Sequence, residues 1–220
     1  MSYNSTDTAN VGIISNDVKI VDKEYMNKKC HSPDWQADID LIVNKFQLNT
    51  EKEKAFDIVA NHSCHSSSEQ LKMHIGGMGG TGKTQVFKAL IEFFKCKNES
   101  HKFIVVAPTG SAAALLGGST YHYMFGINDM TEHVSAIQLA QVKQRLQGVS
   151  FIFMDEVSML FCRDMYRISE RLANVMNNAE QPFGGLNMIF AGDFAQLPPA
   201  IGQENASLYS RFIGRNSTSH

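Results

Sequence analysis

An α/β fold, a mainly parallel sheet flanked by helices on both faces, is what this 220-residue sequence predicts. Three observations carry that reading. Short apolar runs alternate with segments whose apolar residues recur at helical spacing, the order expected of strands joined by crossover helices. The run Phe151 to Met154 is wholly apolar, as suits a parallel strand covered on both faces. A glycine-dense turn, "GGMGGTG", stands between a strand pattern and a helix pattern. Such strand–helix–strand connections are right-handed.

The elements run in order along the chain. Residues 1–45 are polar and aperiodic, with Trp35 as the one strong anchor, and read as an irregular or partly disordered arm. Residues 46–205 read as the ordered domain, and 206–220 as a tail or the start of a further domain. In "LNTEKEKAFDIVANH", Thr50 and Glu53 make a capping box, and Ala55, Phe56 and Val59 line one helical face. "LKMHI" alternates Leu71, Met73 and Ile75 as a strand does, and "KTQVFKALIEFFKCK" turns Val86, Leu90 and Phe93 or Phe94 inward as a helix. "KFIVVAP" is the next strand, "GSAAALLGG" a short helix closed by glycine, and "SAIQLAQVKQRLQG" a helix ended at Gly148. After the strand "VSFIFMDE", Met165, Ile168, Leu172 and Val175 or Met176 mark a helix, and "LNMIFAG" is the last strand.

Composition narrows the class without naming a partner. The chain is 43% hydrophobic and 19% charged, an ordinary globular balance. With 20 Lys and Arg against 22 Asp and Glu, binding of a polyanion could not rest on bulk charge. No apolar run approaches the length that spans a bilayer, so no membrane partner is expected. The four cysteines lack CxxC spacing and read as reduced thiols rather than as a zinc site. The N-terminus has neither the apolar core of a secretion signal nor a basic amphipathic pattern, which leaves the nucleus as the expected compartment.

The chemistry concentrates in three stretches. Gly77, Met78, Gly79, Gly80, Thr81, Gly82, Lys83 and Thr84 fit G-x-x-x-x-G-K-[ST] without a mismatch, between a strand and a helix. Glycines there let successive N–H groups point at one oxyanion, and the helix start adds its positive end. Lys83 would set a compact cation on the β- and γ-phosphates of ATP, and Thr84 a hydroxyl on Mg²⁺. Asp155 and Glu156 end an apolar strand at the carboxyl edge, where open parallel sheets place ligands. Neighbouring strand residues face opposite sides, so both carboxylates serve one site only if the strand breaks there. Asp155 then suits the Mg²⁺ shell and Glu156 the general base. Past the strand "NMIFAG", Gln196 can accept from a water and donate to a phosphate oxygen together, and Leu197-Pro198-Pro199 stiffens the chain beyond it.

Taken together, these stretches resemble the superfamily-one DNA helicases of the PIF (petite integration frequency) type, in the pattern of those carried by fungal Helitron transposons. "GGMGGTGKT" resembles motif I, "APTGSAAALLGGSTYH" motif Ia and its extension, "FMDEVSML" motif II and "FAGDFAQLPP" motif III. The resemblance runs from about Leu48 to Tyr209. It implies a RecA-like ATP-binding domain that couples ATP hydrolysis to movement on single-stranded DNA, in repair, recombination, telomere maintenance or transposition. By position it implies Lys83, Asp155, Glu156 and Gln196 as catalytic, the last as γ-phosphate sensor, with Thr109, Gly110, Thr120 and His122 as strand contacts.

Two departures stand out. The family reads L-N-x-E-Q ahead of the first helix, its glutamine reading adenine, whereas Leu48-Asn49-Thr50-Glu51-Lys52 ends in lysine, which donates but cannot accept. Loose base selectivity is the expectation. The family also needs a second RecA-like domain that supplies arginine fingers, and no such motifs come after Pro199, so the first motor domain alone is expected here. Two rivals stay open: another phosphate-loop NTPase, of AAA+ or kinase type, which leaves motifs Ia and III unexplained, and a truncated, non-catalytic nucleotide- or DNA-binding remnant.

Overall fold

The computed structural model describes residues 33–64, 69–128, 134–194 and Leu208. The strands are β1 (Lys72–Gly76), β2 (Phe103–Ala107), β3 (Ser119–Thr120), β4 (Phe151–Met154) and β5 (Asn187–Gly192). Between them run helices α1 (Pro33–Phe46), α2 (Thr50–Cys64), α3 (Lys83–Cys96), α4 (Gly110–Ala114), α5 (Tyr121–Phe125), α6 (Ala136–Arg145) and α7 (Cys162–Met176). All strand pairs are parallel, in the order β1-β5-β4-β2-β3. The expected α/β architecture is therefore present.

Strand β4 shows why its sequence reads as a continuous apolar run. Phe151 and Phe153 join one core with Phe87, Leu90, Phe93 and Phe94 of α3 and Phe56 of α2. Ile152 and Met154 point the other way, into a second core with Phe125, Val142, Ile168 and Leu172. Both faces are covered, so no polar residue has a place on the strand. On the α3 side the aromatics interlock, with Phe103 and Phe153 centroids 4.1 Å apart and Phe87 edge-on to Phe153 at 5.0 Å. This packing pins the α3 N-terminus, and with it the glycine turn, against the sheet.

The N-terminal arm needs correcting. Residues 33–45, expected to be irregular, belong to α1, which packs against α3 through buried Ile39 and Ile42 and the partly buried Val43 and Phe46. These positions repeat at i, i+3, i+4 and i+7, a helical stripe masked by the polar residues around it. Residues 1–32 lie outside the described residues. A smaller correction concerns the start of α2. Its first turn is capped by Asn49, whose Oδ1 accepts from the Lys52 amide at 3.0 Å, one position before the Thr50 expected from the capping-box pattern. Asn is among the best N-cap residues, and a shift of one position moves Lys52 to the third helical residue. The short α5 and two-residue β3 are also additions to the sequence reading. The other strands and helices fall where the pattern places them.

Because β1, β5 and β4 are parallel neighbours, the segments leaving their carboxyl ends meet. Gly76 stands level with Gly192, and Met154 with Phe190. That alignment brings the glycine turn after β1, the carboxylates after β4 and Asp193 after β5 to one edge.

Candidate functional site

The glycine turn is an open loop feeding α3. Gly80 and Gly82 adopt φ of 80° and 87°, a region costly for any side chain. Gly82 precedes α3 without a capping side chain, so the first-turn N–H groups face the loop. Inside it, Lys83 Nζ donates to Gly77 O at 2.5 Å and Met78 O at 3.2 Å, while Thr81 Oγ1 donates to Met78 O at 2.8 Å. Thr84, half-buried, comes next to Lys83 in the first turn.

The carboxylates approach from β4. The Asp155 amide still donates to Val106 O at 2.9 Å, but β4 ends at Met154 and Glu156 turns to φ 54°, ψ 38°. The strand breaks at the residue where sharing of one site requires it. The Glu156 amide donates to Asp155 Oδ1 at 2.9 Å, locking the pair's geometry. Burial raises the Asp155 pKa, opposed by the Glu156 amide and the Lys83 charge. Burial also raises that of Glu156, helped by Asp155 and Asp193 and opposed by Lys83. His74 on β1 is held below its usual range by burial and then by Lys83. One cation, Lys83, thus acts on three titratable groups around the loop.

Asp193 is a member of the site that sequence reasoning passed over. It is buried, and its Oδ2 accepts from the Gly79 amide at 2.9 Å, tying the end of β5 to the loop. The next residue, Phe194, stacks on His74 with ring centroids 5.4 Å apart. Gln196 and the Leu197-Pro198-Pro199 segment lie outside the described residues. Lys52, the lysine that replaces the family's glutamine, also reaches the loop: its Nζ donates to Gln85 Oε1 at 2.8 Å, beside Gly82. Asp193 and Lys52 both stand in motif stretches, but their bonds join distant segments, so chain order does not show the partners.

The four residues expected to touch a nucleic-acid strand stand elsewhere on the same edge, after β2 and β3. Thr109 caps α4 by accepting from the Ala112 amide, and Thr120 caps α5 by accepting from the Tyr123 amide, both at 3.3 Å. Gly110 is exposed, and the His122 ring stacks on Tyr121 at 3.9 Å. The sheet order separates them from the β1 loop by two strands, β5 and β4.

An anion-binding loop at a helix start, facing a broken strand that carries two carboxylates, defines a nucleoside-triphosphate site of the phosphate-loop class. The PIF1-like helicase pattern matches residues 47–218, and the chain belongs to that family. It is 31% identical over 165 residues to the ATP-dependent DNA helicase PIF7 of Trypanosoma brucei brucei, covering 71% of this chain and 15% of that protein. It is 30% identical over 162 residues to ATP-dependent DNA helicase Pif1 of Bdellovibrio bacteriovorus, covering 71% of this chain and 34% of that protein. Among solved structures, Bacteroides Pif1 in complex with ADP-AlF3 and single-stranded DNA superposes with a TM-score of 0.56 at 29% identity, over 72% of this chain and 35% of that one. Pif1 from Candida albicans gives 0.57 at 26% identity, over 70% and 34%. The chain thus spans about a third or less of its first curated relatives, between 15% and 34%.

Proposed function

We propose that this chain is the first motor domain of an ATP-dependent DNA helicase: it binds ATP at the β1 loop and single-stranded DNA along the β2 and β3 ends. The observation that carries the reading is the convergence of Lys83, Asp155, Glu156 and Asp193 on a loop whose helix N–H groups lack a capping side chain. The loop N–H groups and Lys83 take the phosphates, Lys83 leaving the Gly77 and Met78 carbonyls to do so. Glu156, its pKa raised, is suited to orient and deprotonate the attacking water. Gln196 senses the γ-phosphate, and the Asp193–Gly79 bond passes that state between the loop and β5.

The residues also fit Mg²⁺, though not as a dedicated cage. Among the described residues no cluster of three or more His, Cys, Asp or Glu side chains is set to hold a metal. Mg²⁺ is commonly held by one or two protein ligands plus substrate phosphates, and Thr84 and Asp155 are those two here. When bound, it neutralises charge on the phosphate oxygens.

Single-stranded DNA is supported as partner by the solved relative in complex with it. The arginine fingers and the other half of the strand groove come from a second domain, a division supported by the share of its relatives that this chain spans. Steady-state ATP hydrolysis with and without single-stranded DNA tests the proposal. Stimulation that Lys83→Ala abolishes is the expected result. Turnover indifferent to any nucleic acid would favour another phosphate-loop NTPase.

A further inference from the structure

Asp193 sits between two anchors. On one side Gly192, the last residue of β5, is level with Gly76 of β1. On the other, Phe194 stacks on the His74 ring, with centroids 5.4 Å apart and planes 29° from parallel. Asp193 itself is buried, and its Oδ2 accepts from the Gly79 amide at 2.9 Å. A carboxylate whose two chain neighbours are both held presents its oxygen to that amide in one place. With the stack released, the same bond has to be made by a residue hanging from a strand end, at a larger loss of conformational freedom.

The pairing of the strands does not by itself bring the two rings together. In register His74 is level with Phe190, and a chain that stayed extended would carry Phe194 about 13 Å further on. Residues 74 and 76 share a face of β1, and Gly76 leaves that face bare ahead of His74. A Cβ there would lie 3.3 Å from His74 Cε1 and 3.6 Å from Nδ1, so the imidazole leans over Gly76 toward the carboxyl edge. The chain beyond Gly192 turns to meet it. His74 is exposed and Phe194 is 37% exposed, so neither ring is there to fill a core. Partial burial and then the Lys83 charge hold the His74 pKa below its usual value. At neutral pH the ring therefore stacks as an uncharged aromatic.

We infer that His74 is a positioning residue of this site: through Phe194 it holds Asp193 on the Gly79 amide, and so fixes the glycine loop against the end of β5. The inference rests on the ATP-binding reading proposed for the β1 loop. Strand β5 also pairs with β4, whose end carries Asp155 and Glu156. A loop tied to β5 therefore keeps Lys83 at a fixed distance from both carboxylates.

Amide hydrogen exchange read residue by residue by NMR tests the clamp, and steady-state ATP hydrolysis tests its use. In His74→Ala the Gly79 amide is expected to exchange about 2- to 12-fold faster, the worth of one aromatic pair, while amides within α3 and β4 keep their rates. His74→Phe, which keeps a neutral stacking ring, should keep the wild-type rate. Phe194→Ala should match His74→Ala, and the double substitution should exchange no faster than either, since all three lose the same stack. ATP turnover should fall about tenfold in His74→Ala, with KM changed by less than about threefold, and should return in His74→Phe. Gly79 exchange unmoved in His74→Ala, a rise shared by every amide, or additive effects in the double substitution would overturn the clamp. Faster Gly79 exchange with full turnover would overturn the positioning role. Turnover that survives Lys83→Ala would overturn the underlying ATP-site reading instead, with exchange at Gly79 still reporting on the stack.

Discussion

Gly192→Ala isolates the contact that sets the carboxylates. Gly192 ends β5, and a Cβ there would lie 2.9 Å from Val157 Cγ1 and 3.1 Å from the backbone nitrogens of Val157 and Ser158. Val157 is buried and β-branched, and the other two atoms are main chain, so the added methyl has no flexible neighbour to displace. The 157–158 turn must retreat by about 0.5 Å to restore ordinary van der Waals distances. Overpacking of this kind costs about 1–3 kcal/mol. For a chain of this length each kcal/mol lowers Tm by about 2–4 °C, so a fall of about 2–12 °C is expected. The retreat also drags Glu156, which directly precedes the turn and whose amide holds Asp155. Misplacement by about 1 Å costs on the order of 100-fold in rate, and half that distance about tenfold. Thermal melting and DNA-stimulated ATP hydrolysis measure the two effects, with KM for ATP changed by less than about threefold. Full kcat in a protein of lowered Tm would refute the idea that this close approach positions the carboxylates.

Three further outcomes are expected. Lys83→Ala should weaken ADP by about 10- to 100-fold, the loss of a charge-assisted phosphate contact, with Tm nearly unchanged, as read by isothermal titration and melting. Asn49→Ala should cost about 1 kcal/mol and lower Tm by about 2–4 °C, whereas Thr50→Ala should not, since Asn49 holds the cap. The folded pKa values of Asp155 and Glu156 lie above their unfolded ones, so the stability linked to them is full below the unfolded values and is lost as pH rises through the raised folded ones. Asp155→Asn and Glu156→Gln should therefore melt higher than wild type at neutral pH, with the gap closing as pH falls toward the ordinary carboxylate range.

Much of this fold is legible in sequence because its strands are covered on both faces. An apolar run such as Phe151–Met154 has no other comfortable setting, and α7 announces itself by Ile168, Leu172 and Val175 at helical spacing. The phosphate loop is legible for a different reason: its glycines, lysine and hydroxyl are contiguous, so chemistry and chain order coincide. Helix α1 escapes because Ile39 and Ile42 sit in a polar segment and only packing on α3 identifies them as core. Asp193 and the contact made by Lys52 escape for a related reason. Each makes a hydrogen bond, to Gly79 or to Gln85, that spans many positions of sequence and exists only once the sheet has assembled. The break at Glu156 falls between the two. Sequence states the condition for sharing a site, and the left-handed backbone at that residue meets it.

If the nucleotide and single-stranded DNA bind the same sheet edge and communicate through β5 and Asp193, each must change the affinity of the other by an identical factor. Reciprocal titration measures this directly: a magnesium nucleotide analogue with and without an oligothymidine, then the oligothymidine with and without the analogue. A tightening of about 5- to 150-fold, equal in both directions and abolished in Lys83→Ala, is the expected result. Affinities that ignore the other ligand would contradict the assignment of this domain to a DNA-tracking motor.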